Sequence, residues 1–257
     1  MRNIYSLARE VGNDLIDVVH SFLPIIISEA DGDPQSQLQW IPVRMAGTLR
    51  SVLCLGESGQ HEDSAALVRV MADHLITFGW LLADPRPPDR LNAWKNDDLR
   101  LTGAIRNSLE KVGISAEEPL PSLTTSTKIQ NSEAAALQCD EFWEPHLAPY
   151  FKRGTVNSFS GLYAAVFRAT SPYVHPSMRG SLGFFTTHVS NPGKLMRIAT
   201  SYADIPQTYA NAVSIQLVAS WIMVARFRHA DVSRVSPFFE RTARLDSELN
   251  RSSPSAA

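Results

Sequence analysis

Apolar residues return at three- and four-residue steps along most of this chain, and that spacing commits it to packed helices rather than sheets. Ile4, Leu7, Ala8, Val11, Leu15, Val18, Val19 and Phe22 form one such stripe, which ends at Pro24. Pro42 stands where a helix starts, Ala46, Leu49, Val52 and Leu53 follow on one face, and Gly59 is placed to end it. Asp63 to Ala83 is apolar around most of its circumference, which predicts a central, largely buried helix. Leu91, Trp94, Leu101, Ile105, Leu109 and Val112 mark a fourth helix that stops at Gly113. Further helices are predicted near Ser132 to Trp143, Asn157 to Ala169, Pro206 to His229 and Pro237 to Leu249. One stretch departs from the pattern. Phe184 to Val189 and Leu195 to Ala199 flank the turn residues Ser190, Asn191, Pro192 and Gly193, which predicts a small β-hairpin near 184–199. The expected fold class is therefore mainly α, a multi-helix bundle with a small hairpin attached.

The 257 residues are 44% hydrophobic and 19% charged, enough apolar mass for one sizeable core. Residues 113–131, with Pro119, Pro121 and a run of Ser and Thr, read as a long surface loop. The helices after it are too few for an independent core, so the expectation is one helical domain over 1–249 and a flexible Ser-rich tail over 250–257. Met1 to Arg9 lacks the apolar run of a secretory signal. Tyr209 to Ala225 carries no charge but falls short of a membrane span and contains Asn211, Ser214, Gln216 and Ser220, so it reads as a buried helix. Cys54 and Cys139 are isolated and form no CxxC pair, which fits a reducing, cytoplasmic setting without a zinc knuckle. The net charge of −2 gives no global basic field, so any phosphate contact has to be local. Five of the 24 basic residues are Lys and the remainder Arg.

Phosphate-loop, dinucleotide-binding, HExxH, GxSxG and EF-hand motifs are absent from the sequence. Two constellations carry chemistry. Arg69, Asp73 and Thr77 lie four apart and form a polar stripe on the apolar third helix. If that helix is central, Arg69 and Asp73 need each other or another partner. At the surface they are an ordinary ion pair worth about 0.2–0.5 kcal/mol. The second constellation is Arg168-Ala-Thr-Ser171-Pro-Tyr173-Val-His175-Pro176. Pro172 and Pro176 impose an irregular turn around His175, with the hydroxyls of Ser171, Tyr173 and Ser177 close in sequence. An imidazole exchanges protons near neutral pH, and a guanidinium grips phosphate and stabilises the charge that builds up in transfer. Together they suffice for metal-independent cleavage of RNA by its own 2′-hydroxyl. The competing assignment has His175 tying the turn together and Arg168 pairing with a carboxylate. Asp73 and His74 point in different directions on a helix and make a poor chelating pair, and no metal or other cofactor is expected. Trp80, Trp94, Trp143 and Trp221 sit on apolar faces and are assigned to the core.

Residues Ala66 to His74, then Gly79-Trp80-Leu81-Leu82, then Ser171 to Pro176 resemble a bacterial all-helical family of uncharacterised function. In that family an Arg/acid helix precedes a Ser and a His-Pro. Asp73 stands where its members more often carry Glu. The resemblance spans Ala46 to Pro176, about half the chain. Arg168 and His175, with six residues between them, are also similar to the longest form of the R-x4–6-H signature of HEPN domains. The HEPN likeness implies a dimeric ribonuclease or toxin of a toxin–antitoxin or phage-defence system. RNA is then the substrate and an antitoxin or other protein a partner. Arg168 contacts phosphate, His175 transfers protons, and Arg69, Asp73, Ser171 and Tyr173 support the pocket. The alternative is a non-catalytic helical binding or scaffold protein in which the same cluster is structural.

Overall fold

A computed structural model describes residues 4–29, 36–83, 87–111, 132–151, 158–168, 185–188, 191–196 and 205–252. The expected loop at 113–131 lies outside them. The elements are α1 (Ile4–His20), α2 (Leu23–Glu29), a 3-10 turn (Ser36–Gln39), α3 (Trp40–Glu57), α4 (His61–Leu82), α5 (Pro87–Lys111), α6 (Ser132–Phe151), α7 (Phe159–Leu162) and a π-helical turn (Tyr163–Arg168). Two strands follow, β1 (Phe185–His188) and β2 (Asn191–Met196), then α8 (Ile205–Phe227), a 3-10 turn (His229–Asp231), α9 (Val232–Val235) and α10 (Pro237–Ser252).

The centre is a mutual packing of α1, α3, α4 and α8, in which α3 and α8 each touch both α1 and α4. α10 covers α1 and α8 on one side, and α6 and the π turn cover α4 on the other. The apolar stripe read in α1 is the buried one, with Ala8, Val11, Leu15, Val19 and Phe22 at or near zero exposure. α8 is buried without interruption from Ala212 to Val224, further than α4, whose Arg69, Asp73, His74 and Thr77 stay partly exposed. Each apolar side chain covered this way contributes roughly 1.5–3 kcal/mol, so these four helices hold most of the fold's driving force. Glu62–Leu82 and Pro206–Phe227 are long and apolar enough to cross a membrane by length and composition alone. The second is longer than the uncharged stretch visible in the sequence. Most of each is buried against other helices.

Two close approaches set the spacing. Gly56 on α3 lies under the Tyr209 ring, where an added Cβ would come within 2.3 Å of it. The Tyr209 hydroxyl donates to the Leu53 carbonyl oxygen at 2.7 Å. Gly79 on α4 faces the Phe159 ring, where a Cβ would stand at 2.8 Å. The Trp143 indole N–H donates to the Gly79 carbonyl at 3.0 Å, pinning α6 to α4 at the same place.

Several boundaries differ from the sequence reading. α1 ends before Pro24, which sits in the first turn of α2, where a missing N–H costs nothing. α6 runs past Pro145 and Pro149 to Phe151 instead of stopping near Trp143. The expected helix at Asn157 to Ala169 is a four-residue helix that passes into the π turn. α10 continues to Ser252, three residues into the expected tail. The hairpin is present as an antiparallel pair with Phe185 opposite Met196 and an irregularity at Thr187/His188. Asn191, Pro192 and Gly193, expected in its turn, belong to β2.

Candidate functional site

A cavity of about 480 Å³ opens between α3, α4 and α5, closed at one end by the start of α6. It lies within the usual range for small-molecule sites, roughly 300–1,000 Å³. α4 supplies the floor through Asp73, His74, Ile76, Thr77 and Trp80. Positions i, i+3, i+4 and i+7 share a helix face, and His74 joins them at its edge. α3 contributes Trp40, Ile41 and Arg44, with Gln37 just before it; α5 contributes Trp94 and Asp97; α6 contributes Ser132 and Ala135.

Three indoles therefore border one opening. Trp80 is 4% exposed, and its N–H donates to Gln138 Oε1 at 2.9 Å. The Arg90 guanidinium lies 4.8 Å from its ring centroid and also donates to the Trp80 carbonyl, so one face of this indole is occupied. Trp94 is partly buried against the core. Trp40, at 41%, is among the most exposed large apolar residues described. Leaving that much indole in water is unfavourable, which makes it a surface suited to contact.

The polar lining is unevenly satisfied. Asp73 accepts from the Ser132 hydroxyl at 3.0 Å. Asp97 Oδ1 accepts from Arg100 Nε at 3.0 Å and Nη2 at 2.7 Å. His74 Nδ1 is buried and has no hydrogen-bond partner. Burial, then the nearby Arg44 charge, push the His74 pKa below its ordinary 6.5, against a smaller opposing effect from Asp73. The ring is therefore neutral at pH 7.

Of the stripe expected on α4, the structure brings Asp73 and Thr77 into this cavity and turns Arg69 away from it. Arg69 does not pair with Asp73. Its guanidinium carbon lies 4.5 Å from the Phe167 ring centroid, on the π turn, and its Nε is buried without a partner. Tyr163 stacks on Phe167 at 5.1 Å, with planes 19° apart, extending the same column. Arg168 is the last residue of the π turn, and its side chain is outside the described residues, as are Ser171, Tyr173, His175 and Ser177. Asp73 and His74, assigned different directions in the sequence reading, border the same cavity because it is wide enough to reach both. Among the described residues no group of three or more His, Cys, Asp or Glu is placed to hold a metal ion.

Sequence reasoning missed Trp40, Arg44, Trp94 and Asp97 as site residues. Trp40 and Arg44 are four apart and Trp94 and Asp97 three apart, so each pair shares a helix face. That spacing was a readable signal, but only the packing of three helices shows that the faces meet. Also missed was Asp140, whose carboxylate accepts from the Phe159 N–H at 2.5 Å and the Ser160 N–H at 2.9 Å. With Ser158 Oγ accepting from Gly161 N–H at 2.8 Å, it fixes the start of α7 and so the approach to the π turn.

Residues 42–193 match the model of a family of unknown function, DUF5677, over more than half of the chain. No curated protein and no solved structure matches it.

Proposed function

The chain belongs to the DUF5677 family, and we propose that it is a helical binding protein whose α3–α4–α5 cavity takes a small planar organic molecule of nucleobase size. The observation that carries this is the gathering of Trp40, Trp80 and Trp94 around one cavity. A flat ring gains about 1–3 kcal/mol by stacking on an aromatic side chain, largely independent of the ring's identity. Asp73, Thr77 and Gln37 offer hydrogen-bonding groups in its lining to orient it. Adenosine and nicotinamide are suitable probes. The expected result is a rise in Tm with added probe, and a roughly tenfold loss of affinity in Trp40→Ala. Trp40 is exposed, so its removal leaves the core intact. No thermal shift with either probe at millimolar concentration would overturn the proposal.

A second reading is a HEPN-like, metal-independent ribonuclease or toxin, cytoplasmic and dimeric, acting on RNA and held in check by an antitoxin. What favours it is the π turn ending at Arg168, because such turns occur often at functional sites. Asp140 and the Arg69–Phe167 contact hold that turn on α6 and α4. In this reading Arg168 contacts phosphate and His175 moves the proton, with Ser171 and Tyr173 alongside. Purified protein then cleaves RNA in the presence of a chelator, and His175→Ala abolishes cleavage without lowering Tm. Undiminished cleavage by that variant sinks the mechanism.

A further inference from the structure

We propose that the cavity selects an anionic ligand, a planar molecule bearing a carboxylate or phosphate that Arg44 and His74 receive together; this rests on the binding reading above. The argument begins with which polar groups are already engaged. Asp97 is held by two donors of Arg100, and Asp73 by the Ser132 hydroxyl. Asp97 is thereby paired with a cation, whereas Asp73 keeps its charge and holds one neutral donor. Arg44 is exposed on α3, borders the cavity, and makes no side-chain hydrogen bond or ion pair with the described residues. Its charge bears on His74, and both side chains line the one cavity.

The His74 tautomer follows from its surroundings. Nδ1 is buried with no partner, and an orphaned buried N–H is costlier than an orphaned lone pair. The proton therefore sits on Nε2. The ring is only partly buried and lines the cavity, so its accessible edge faces the opening. Arg44 and the Nε2–H of His74 are thus two donors without acceptors in the lining of a cavity that three indoles also border. A ligand anion there gains charge-assisted hydrogen bonds from a guanidinium and an imidazole while its ring stacks. Asp73, which lines the same cavity, limits the site to ligands that also present a donor to it or keep their anion away from it.

The test uses the full chain and two matched pairs, nicotinate with nicotinamide and AMP with adenosine, titrated by calorimetry. In at least one pair the anion should bind about tenfold or more tightly than its neutral partner, as expected for a charge-assisted pair of bonds. The pair that shows the preference identifies carboxylate or phosphate as the group recognised. Arg44→Gln should remove the preference by bringing the anion's affinity down to that of its neutral partner, and Arg44→Lys should keep part of it. Arg44 is exposed, and an unchanged Tm confirms that each variant is folded. Equal affinities within both pairs, or a preference that survives Arg44→Gln, overturns the anion assignment and leaves the cavity reading standing. Failure of all four compounds to bind overturns both.

Discussion

His74 shows how a single side chain couples the cavity to stability. Burial and Arg44 keep its pKa below the ordinary 6.5, so the native state binds its proton less readily than the unfolded chain. Stability therefore rises with pH across the window between the lowered native value and about 6.5, and is lost as pH falls through it. His74→Gln should flatten the dependence of Tm on pH below 6.5. An unchanged slope would mean that other groups control it. Tyr209 makes a simpler case. Burial, helped by the Glu57 charge, pushes its pKa up to about 12, so the hydroxyl stays protonated and keeps donating to Leu53. Gly56→Ala would drive a methyl into that ring. We expect a cost of about 1–3 kcal/mol, read as a fall in Tm, with the Tyr209–Leu53 hydrogen bond disturbed.

At the scale of elements, α8 and α7 depend on polar residues that look incidental in the sequence. Gln216 on α8 donates through Nε2 to the Pro42 carbonyl at 3.1 Å and to Ser220 Oγ at 3.2 Å, joining α8 to α3 inside the core. Gln216→Leu should destabilise by about 1–3 kcal/mol by removing a buried donor from its acceptors, measured by denaturant unfolding. Asp140→Ala should loosen α7 at a cost of about 0.5–2 kcal/mol and speed hydrogen exchange at the Phe159 and Ser160 amides; protection equal to wild type would refute the capping role. The helices of the core were legible because their apolar spacing is a local property, as α1 shows. The tertiary partners were not. Nothing near Asp73 in the sequence announces that Ser132, 59 residues on, gives it a hydrogen bond, or that Arg69 prefers the Phe167 ring. The path of α6 through Pro145 and Pro149 was hidden for a related reason. Proline marks a local break, and the buried Cys139, Trp143 and Leu147 show the packing against α4 that outweighs it.

For the whole molecule, the family match begins at Pro42 and ends at Gly193, so it includes α3 to α7 and omits α1 and α8. Those two helices complete the central packing, and without them α3 and α4 lose much of their cover. A fragment of residues 42–193 should show helical signal without a cooperative melting transition, whereas the full chain melts in one step. A sharp calorimetric peak for the fragment would contradict this.

α5 touches the rest of the described fold sparsely, chiefly through α4, yet it provides Trp94 and Asp97. An empty groove with one lightly tethered side has room to breathe, and its amides along that side should exchange with solvent sooner than those of α8. Filling it would splint the loose side to the rigid one, so occupancy would be felt as a stiffening of α5 well beyond the atoms the guest meets.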